Sequence, residues 1–169
     1  MAFYMVIKGQ IKQHCFEYLD NITGRRLEQT LAPGKYRHER ADESPDSWAV
    51  EIMSKEVISL TPTDRVSKAI AIFKEHGIHH IPLVEKNALV GMVSDRDVMW
   101  LDLMELDKEA TLSQFMSKIV IVCDDQTAID HLAHVFYREG VNGMCVMDEK
   151  HHLIGIVTHR DILRWVFDK

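Results

Sequence analysis

What is scarce in this chain narrows its reading first. Its three cysteines, Cys15, Cys123 and Cys145, are odd in number and form no CxxC pair. That argues against a disulfide framework and a zinc ribbon, and fits a reducing cytoplasm. Basic charge is also short, with 20 Lys and Arg against 26 Asp and Glu and a formal net charge of −6. Broad nucleic-acid binding needs a Lys/Arg surplus to replace condensed counterions and is not expected, although a local basic site can still hold a small anion. The longest apolar run near the start, Ala2 to Ile7, is six residues and has no basic stretch before it. It is too short to span a membrane and lacks the opening of a signal peptide. With 46% hydrophobic and 27% charged residues among 169, the expectation is a soluble cytoplasmic protein, either one domain or two small ones sharing a core.

What the chain does have is a long internal repeat. Gly91-Met-Val-Ser-Asp-Arg-Asp97 is echoed by Gly155-Ile-Val-Thr-His-Arg-Asp161. Met53-Ser-Lys55 recurs as Met116-Ser-Lys118, an offset of 63 (116 − 53), and Phe73/Phe136 and Gly77/Gly140 keep it. From Gly91 onward the offset is 64 (155 − 91). The one-residue insertion falls between Val84-to-Ala88 and Met147-to-His152, polar segments between apolar runs, where a hairpin turn tolerates an extra residue. A single indel in a loop, with agreement on both sides of it, marks a duplication.

Each copy has the same coarse pattern. Val57–Leu60 and Ile119–Val122 read as short strands, followed by turns with helix-start chemistry at Thr61–Asp64 and Asp124–Thr127. Val66, Ala69, Ile70 and Phe73 fall at helical spacing before Gly77, as Ile129, Leu132, Ala133 and Phe136 do before Gly140. Two strands joined by the hairpin come next, at 81–84 and 89–93 and again at 144–147 and 153–157. A second helix then starts near Asp95 or His159. The unit is β-α-β-β-α, about sixty residues long, with little core and marginal stability alone, which predicts two copies packed face to face. Residues 1–49 lie outside the repeat. Met1 to Ile11 suits a strand or two, and 22–47, with Pro33-Gly34 and Pro45, reads as an extended arm or ordered loop.

With Gly77-Ile-His-His-Ile-Pro-Leu-Val84 and the paired Gly-x-Val-[Ser/Thr]-x-Arg-Asp strings, the chain resembles the CBS domain, named after cystathionine β-synthase. Two copies resemble a CBS pair, or Bateman module. The resemblance covers about 50–169 and implies an α+β fold of two β-α-β-β-α repeats (50–107 and 108–169) packed as a pseudo-symmetric pair, plus the N-terminal arm. Thr61-Pro62 and Pro82 follow the family pattern in copy one. Copy two departs from it with Asp124-Asp125 and Cys145.

The duplicated string has a physical use. A helix N-terminus offers unpaired N–H groups and partial positive charge to a phosphate. Ser94 adds a hydroxyl donor, Arg96 a permanently charged fork, and Asp97 an acceptor for a ribose diol. Thr158, Arg160 and Asp161 match them in copy two. The same Ser/Thr-x-x-Asp spacing is also an ordinary helix cap, so cap and ligand site both stand. The resemblance implies that these positions contact ribose and phosphate, with the base near Thr61 and Ile81 in one copy and Asp124 and Met144 in the other. The carboxylates of Asp124 and Asp125 are expected to repel an anion, which favours the Ser94 copy and leaves the Thr158 copy the emptier. His79 or His80 suits a phosphate better than a metal, since neighbours in a strand point to opposite faces and no HExxH or paired Cys/His spacing accompanies them.

No nucleophile with an organised base is visible, so catalysis is not expected and no cofactor is required. The reading is a stand-alone regulatory module that binds an adenine nucleotide (AMP or ADP/ATP) between its repeats and acts on a client protein. The alternatives are a dimerisation or interaction module without a ligand, and a binder of NAD or S-adenosylmethionine. Apolar residues on more than one face of the second helix (Val98, Met99, Trp100, Leu101, Leu103, Met104) predict a homodimer.

Overall fold

The computed structural model describes residues 2–19, 47–103 and 110–168, without the side chains of 100–103. The arm segment 22–46, the boundary between the copies near 107 and Met104 lie outside the described residues. The chain opens with a hairpin, β1 (Phe3–Ile7) and β2 (Gln10–His14), and after the short helix α1 (Ala49–Ile52) the first repeat begins. Copy one contains α2 (Val66–His76), β3 (His80–Glu85), β4 (Ala88–Ser94) and α3 (Asp95–Leu103). Copy two contains β5 (Ile119–Asp124), α4 (Ile129–Glu139), β6 (Gly143–Met147), β7 (Leu153–Thr158) and α5 (His159–Phe167). This is the expected mixed architecture of two repeats.

Local chemistry explains most boundaries. α2 buries Val66, Ala69, Ile70 and Phe73, and α4 buries Ile129, Leu132, Val135 and Phe136, each along one stripe. Both helices end on a glycine in the left-handed region, Gly77 (φ 61°) and Gly140 (φ 65°), where a side chain would be strained. Lys86 and Asn87 also take positive φ, the two-residue turn that suits the right-handed twist of β3 and β4. α2 starts later than the turn at Thr61–Asp64, because Asp64 closes that turn by accepting from the Thr61 N–H at 2.7 Å.

One expected strand does not form. Val57–Leu60 makes only a single parallel bridge, Leu60 to Leu83, while its repeat partner β5 is a full six-residue strand. The difference lies in the neighbours. β5 sits inside a sheet of order β2-β1-β5-β6-β7, with β1 antiparallel on one side and β6 parallel on the other. Among the described residues Val57–Leu60 has β3 alone to pair with, and parallel pairing is slightly the weaker kind. The N-terminal hairpin is therefore part of the copy-two sheet. Its Val6 is buried with Leu89 of copy one and Val120 and Val122 of copy two.

The two copies interlock through the segments that lead into them. Residues at the opening of copy one dock on copy two: Trp48 bridges Ala128, and Ser54 bridges Ile156. Residues at the opening of copy two dock on copy one, where Thr111 bridges Arg65 and Ser117 bridges Met92. At the centre of each exchange a methionine seats against a glycine of the repeated string, Met53 on Gly155 and Met116 on Gly91. A methyl group on Gly91 would stand 2.8 Å from Met116 Sδ and 2.9 Å from the Ser117 carbonyl oxygen. That carbonyl is held by the Met92 N–H (3.1 Å), and the Ser117 N–H is held by the Met92 carbonyl (2.8 Å), so it has no easy retreat. At Gly155 the crowding atoms all belong to the Met53 side chain. Gly91→Ala should therefore lower unfolding free energy by about 1–3 kcal/mol, as overpacking does, and Gly155→Ala by less. Urea denaturation of both variants checks the order, and equal or reversed losses would contradict it.

Candidate functional site

Strand register decides which residues meet. In copy one His80 lies opposite Ser94, and in copy two Gly143 lies opposite Thr158. The starts of β3 and β6 therefore share an edge with the ends of β4 and β7, where α3 and α5 begin. Between the copies at that edge is a cleft of about 700 Å³, within the usual range of small-molecule sites. Copy one contributes Glu56, Val57, Ile58 and Ile78, with His79, His80 and the first turn of α3. Copy two contributes Asn142, Ile156 and the first turns of α5 from Thr158 to Arg164.

The Ser/Thr-x-x-Asp strings form helix caps. The Ser94 N–H and hydroxyl donate to Asp97 Oδ2 at 2.8 and 2.7 Å, and the Asp97 N–H donates back to Ser94 Oγ at 3.3 Å. The Thr158 N–H and hydroxyl donate to Asp161 Oδ2 at 2.8 and 2.6 Å, with the reciprocal bond completing a capping box. Both carboxylates use Oδ2 for the cap. Each keeps Oδ1 without a partner among the described residues, so a cap does not preclude a ligand.

Of the residues singled out from sequence, His80, Ser94, Arg96, Thr158, Arg160 and Asp161 line the cleft, and the other six do not. Asp97 sits behind Ser94 as its cap partner. Ile81 and Met144 are fully buried, and Pro82 is buried beside Ile81. Thr61 and Asp124 lie toward the opposite edge. Asp124 pairs with Met147 at the far end of β6 from Gly143, four residues or about 13 Å along the strand. Thr61 follows Leu60, whose N–H donates to the Pro82 carbonyl (3.1 Å) and whose carbonyl accepts from Val84 (2.8 Å). Asp124 instead accepts from the Ala2 N–H and from the Thr127 hydroxyl at 2.8 Å. Neither Asp124 nor Asp125, from which repulsion of an anion was expected, lines the cleft.

Sequence reasoning passed over Glu56, Val57, Ile58, Asn142, His159 and Arg164. The available signal was topological. Parallel pairing of the first and second strands puts their starts at the same edge, so the residues just before each strand belong to the site.

His79 and His80 differ in their surroundings. His79 Nδ1 pairs with Asp95 Oδ2 at 2.7 Å on the cleft rim. The His80 ring lies over Gly143, its own repeat partner at the offset of 63 (143 − 80), where a methyl group would come 2.9 Å from Cγ and Nδ1. His80 Nδ1 is buried without a partner among the described residues. Burial, the leading cause, holds this imidazole below the ordinary histidine value; His79 and His159 act in the same sense, and Asp95 and Asp97 oppose them. The described residues contain no cluster of three or more His, Cys, Asp or Glu able to hold a metal, and no helix among them is long and apolar enough to cross a membrane.

The repeat, the shared edge and the paired caps define a class of module. The CBS domain profile matches residues 49–103 and 112–168, and the chain belongs to the CBS domain family. It is 31% identical over 117 residues to the inosine-5′-monophosphate dehydrogenase of Methanocaldococcus jannaschii, covering 69% of this chain and 23% of that enzyme. The chain spans between 23% and 44% of the length of that enzyme and two further relatives from the same organism. Among solved structures it is similar to the CBS domain pair of protein MJ0100 in complex with 5′-methylthioadenosine and S-adenosyl-L-methionine. That match has a TM-score of 0.65 and 26% identity, covering 72% of this chain and 97% of the other. CBSX2 in complex with AMP matches with a TM-score of 0.64 and 25% identity, over 72% and 96% of the two chains.

The lowered proton affinity of His80 has a signed consequence. The unfolded chain takes up the His80 proton below about pH 6.5, while the folded chain takes it up only at lower pH. Folded stability is therefore retained above about pH 6.5 and falls on acidification below it. Urea unfolding of ligand-free protein at pH 7.5 and pH 5.5 should show a larger loss for the wild type than for His80→Gln. Equal losses would contradict the assignment.

Proposed function

We propose that this CBS pair is a regulatory module that binds an adenine nucleotide, AMP or ADP/ATP, in the cleft between its repeats. The observation that carries the reading is the convergence of two capped helix N-termini and three arginines on one cleft between copies. Arg96, Arg160 and Arg164 have no carboxylate partner among the described residues, and each supplies a forked donor for phosphate. Asp161 Oδ1 is an acceptor for ribose hydroxyls. Val57, Ile58 and Ile78 offer an apolar wall for a base. The complexes of MJ0100 with adenosine-containing ligands and of CBSX2 with AMP support the ligand class.

A ligand touching both copies binds some of their relative placements more tightly than others. That difference in affinity is what a signal to a client protein requires. The reading extends to a homodimer, because α5 leaves Leu163, Val166 and Phe167 exposed at 51%, 53% and 83%. A second copy would cover this unusually apolar helix face.

Thermal unfolding with AMP, ADP, ATP, NAD and S-adenosylmethionine side by side tests the ligand class. A nucleotide at a hundredfold excess over its Kd should raise Tm by roughly 5–10 °C. Asp161→Ala should lose most of that rise, measured from its own ligand-free Tm. No rise with any adenine nucleotide, in protein freed of carried-over ligand, would defeat the proposal. A larger rise with NAD or S-adenosylmethionine would move the assignment to that ligand. Light scattering should give the mass of two chains, and a mass of 19.5 kDa would rule out the dimer.

A further inference from the structure

The cleft is built by a duplication, yet its two walls have different chemistry. α3 opens with Asp95-Arg96, and α5 opens with His159-Arg160 at the repeat offset of 64 (159 − 95). One turn further on, α5 carries Arg164 at the position matching Trp100. Copy one thus brings two carboxylates, Glu56 and Asp95, against one guanidinium, Arg96. Copy two brings two guanidiniums, Arg160 and Arg164, against one carboxylate, Asp161. Arg160 and Arg164 are four residues apart and share a face of α5.

The backbone donors differ in the same sense. In α3 the Arg96 N–H donates to Asp95 Oδ1 at 2.7 Å, so a carboxylate of the chain itself already occupies the place an anion would take. The other oxygen of Asp95 holds His79 at 2.7 Å. In α5 histidine replaces that aspartate, and no side chain among the described residues accepts the matching Arg160 N–H. The apolar lining is distributed the opposite way. Val57, Ile58, Ile78 and Met99 come from copy one, against Ile156 from copy two.

We infer that the cleft takes one nucleotide in one orientation, with its phosphate on the α5 wall at Arg160 and Arg164 and its base on the copy-one wall. This inference rests on the nucleotide reading above and reverses the preference drawn from the sequence, which favoured the Ser94 copy for the anion. Two nucleotides related by the pseudo-twofold axis would put one phosphate against Asp95 and Glu56, where like charge opposes it. The His80 ring also breaks the symmetry at the centre, since its counterpart Gly143 has no side chain.

Isothermal titration of AMP and adenosine into the wild type, Arg164→Gln, Arg160→Gln and Arg96→Gln tests the orientation. Arg164→Gln and Arg160→Gln should each weaken AMP at least about tenfold, the scale of one charge-assisted hydrogen bond. Both should leave adenosine within about threefold, and Arg96→Gln should weaken AMP by less than either. A loss at Arg96→Gln equal to or larger than that at Arg164→Gln, with the wild type binding AMP, would overturn the orientation and leave the nucleotide reading standing. No AMP binding by the wild type would overturn that reading and this inference with it.

Discussion

The reciprocal seating of Met53 on Gly155 and Met116 on Gly91 is the contact on which the rest of the molecule depends. Each methionine ends a segment that leads into one copy and docks on the other, so neither copy can slide without losing both seats. The glycines are needed because the approaching segment comes too close for a β-carbon. Directly after Met53 the chain passes Ser54, Glu56 and Val57 along the cleft wall. The cleft is thus a product of the interlock, and its shape depends on how the copies are clamped. This gives the duplicated string three jobs: a glycine that receives the partner segment, a hydroxyl–carboxylate cap that starts a helix, and an arginine turned to the space between copies.

Much of this was legible because it is written in local chemistry. The repeat offset, the glycine helix ends at Gly77 and Gly140, the hairpin after Val84 and the helix starts at Asp95 and His159 each need only a few neighbouring residues. The reading failed where distant partners decide. Val57–Leu60 has the composition of a strand, but β5 became one because a hairpin over a hundred residues away pairs along it. Nothing near Ile119 announces that partner. Thr61 and Asp124 were placed at the site by resemblance, and strand register puts them toward the other edge of the unit. The placement of Asp124 at the site is also what made the Thr158 copy look hostile to anions. Residues 22–46, read from sequence as an arm, are not among those described.

Duplication followed by divergence accounts for the character of the cleft. Both copies keep the cap and the first arginine, which preserves the helix starts. Around them the walls have separated, with Asp95 and His79 paired on one side and His159 and Arg164 opposite. A symmetric pair of sites would report two ligand concentrations in the same way. A polarised cleft of the kind proposed would report a single ligand that touches both copies, and its binding energy would bear directly on their relative placement. The His80 ring, packed on Gly143 with Nδ1 unpartnered among the described residues, lies where such a ligand would press the copies together or apart.

A crystal structure grown with AMP would test the account most directly. The account predicts one nucleotide per chain in the cleft between α3 and α5, with its phosphorus beside Arg160 and Arg164. Two nucleotides related by the pseudo-twofold axis, or AMP bound elsewhere with this cleft empty, would contradict it.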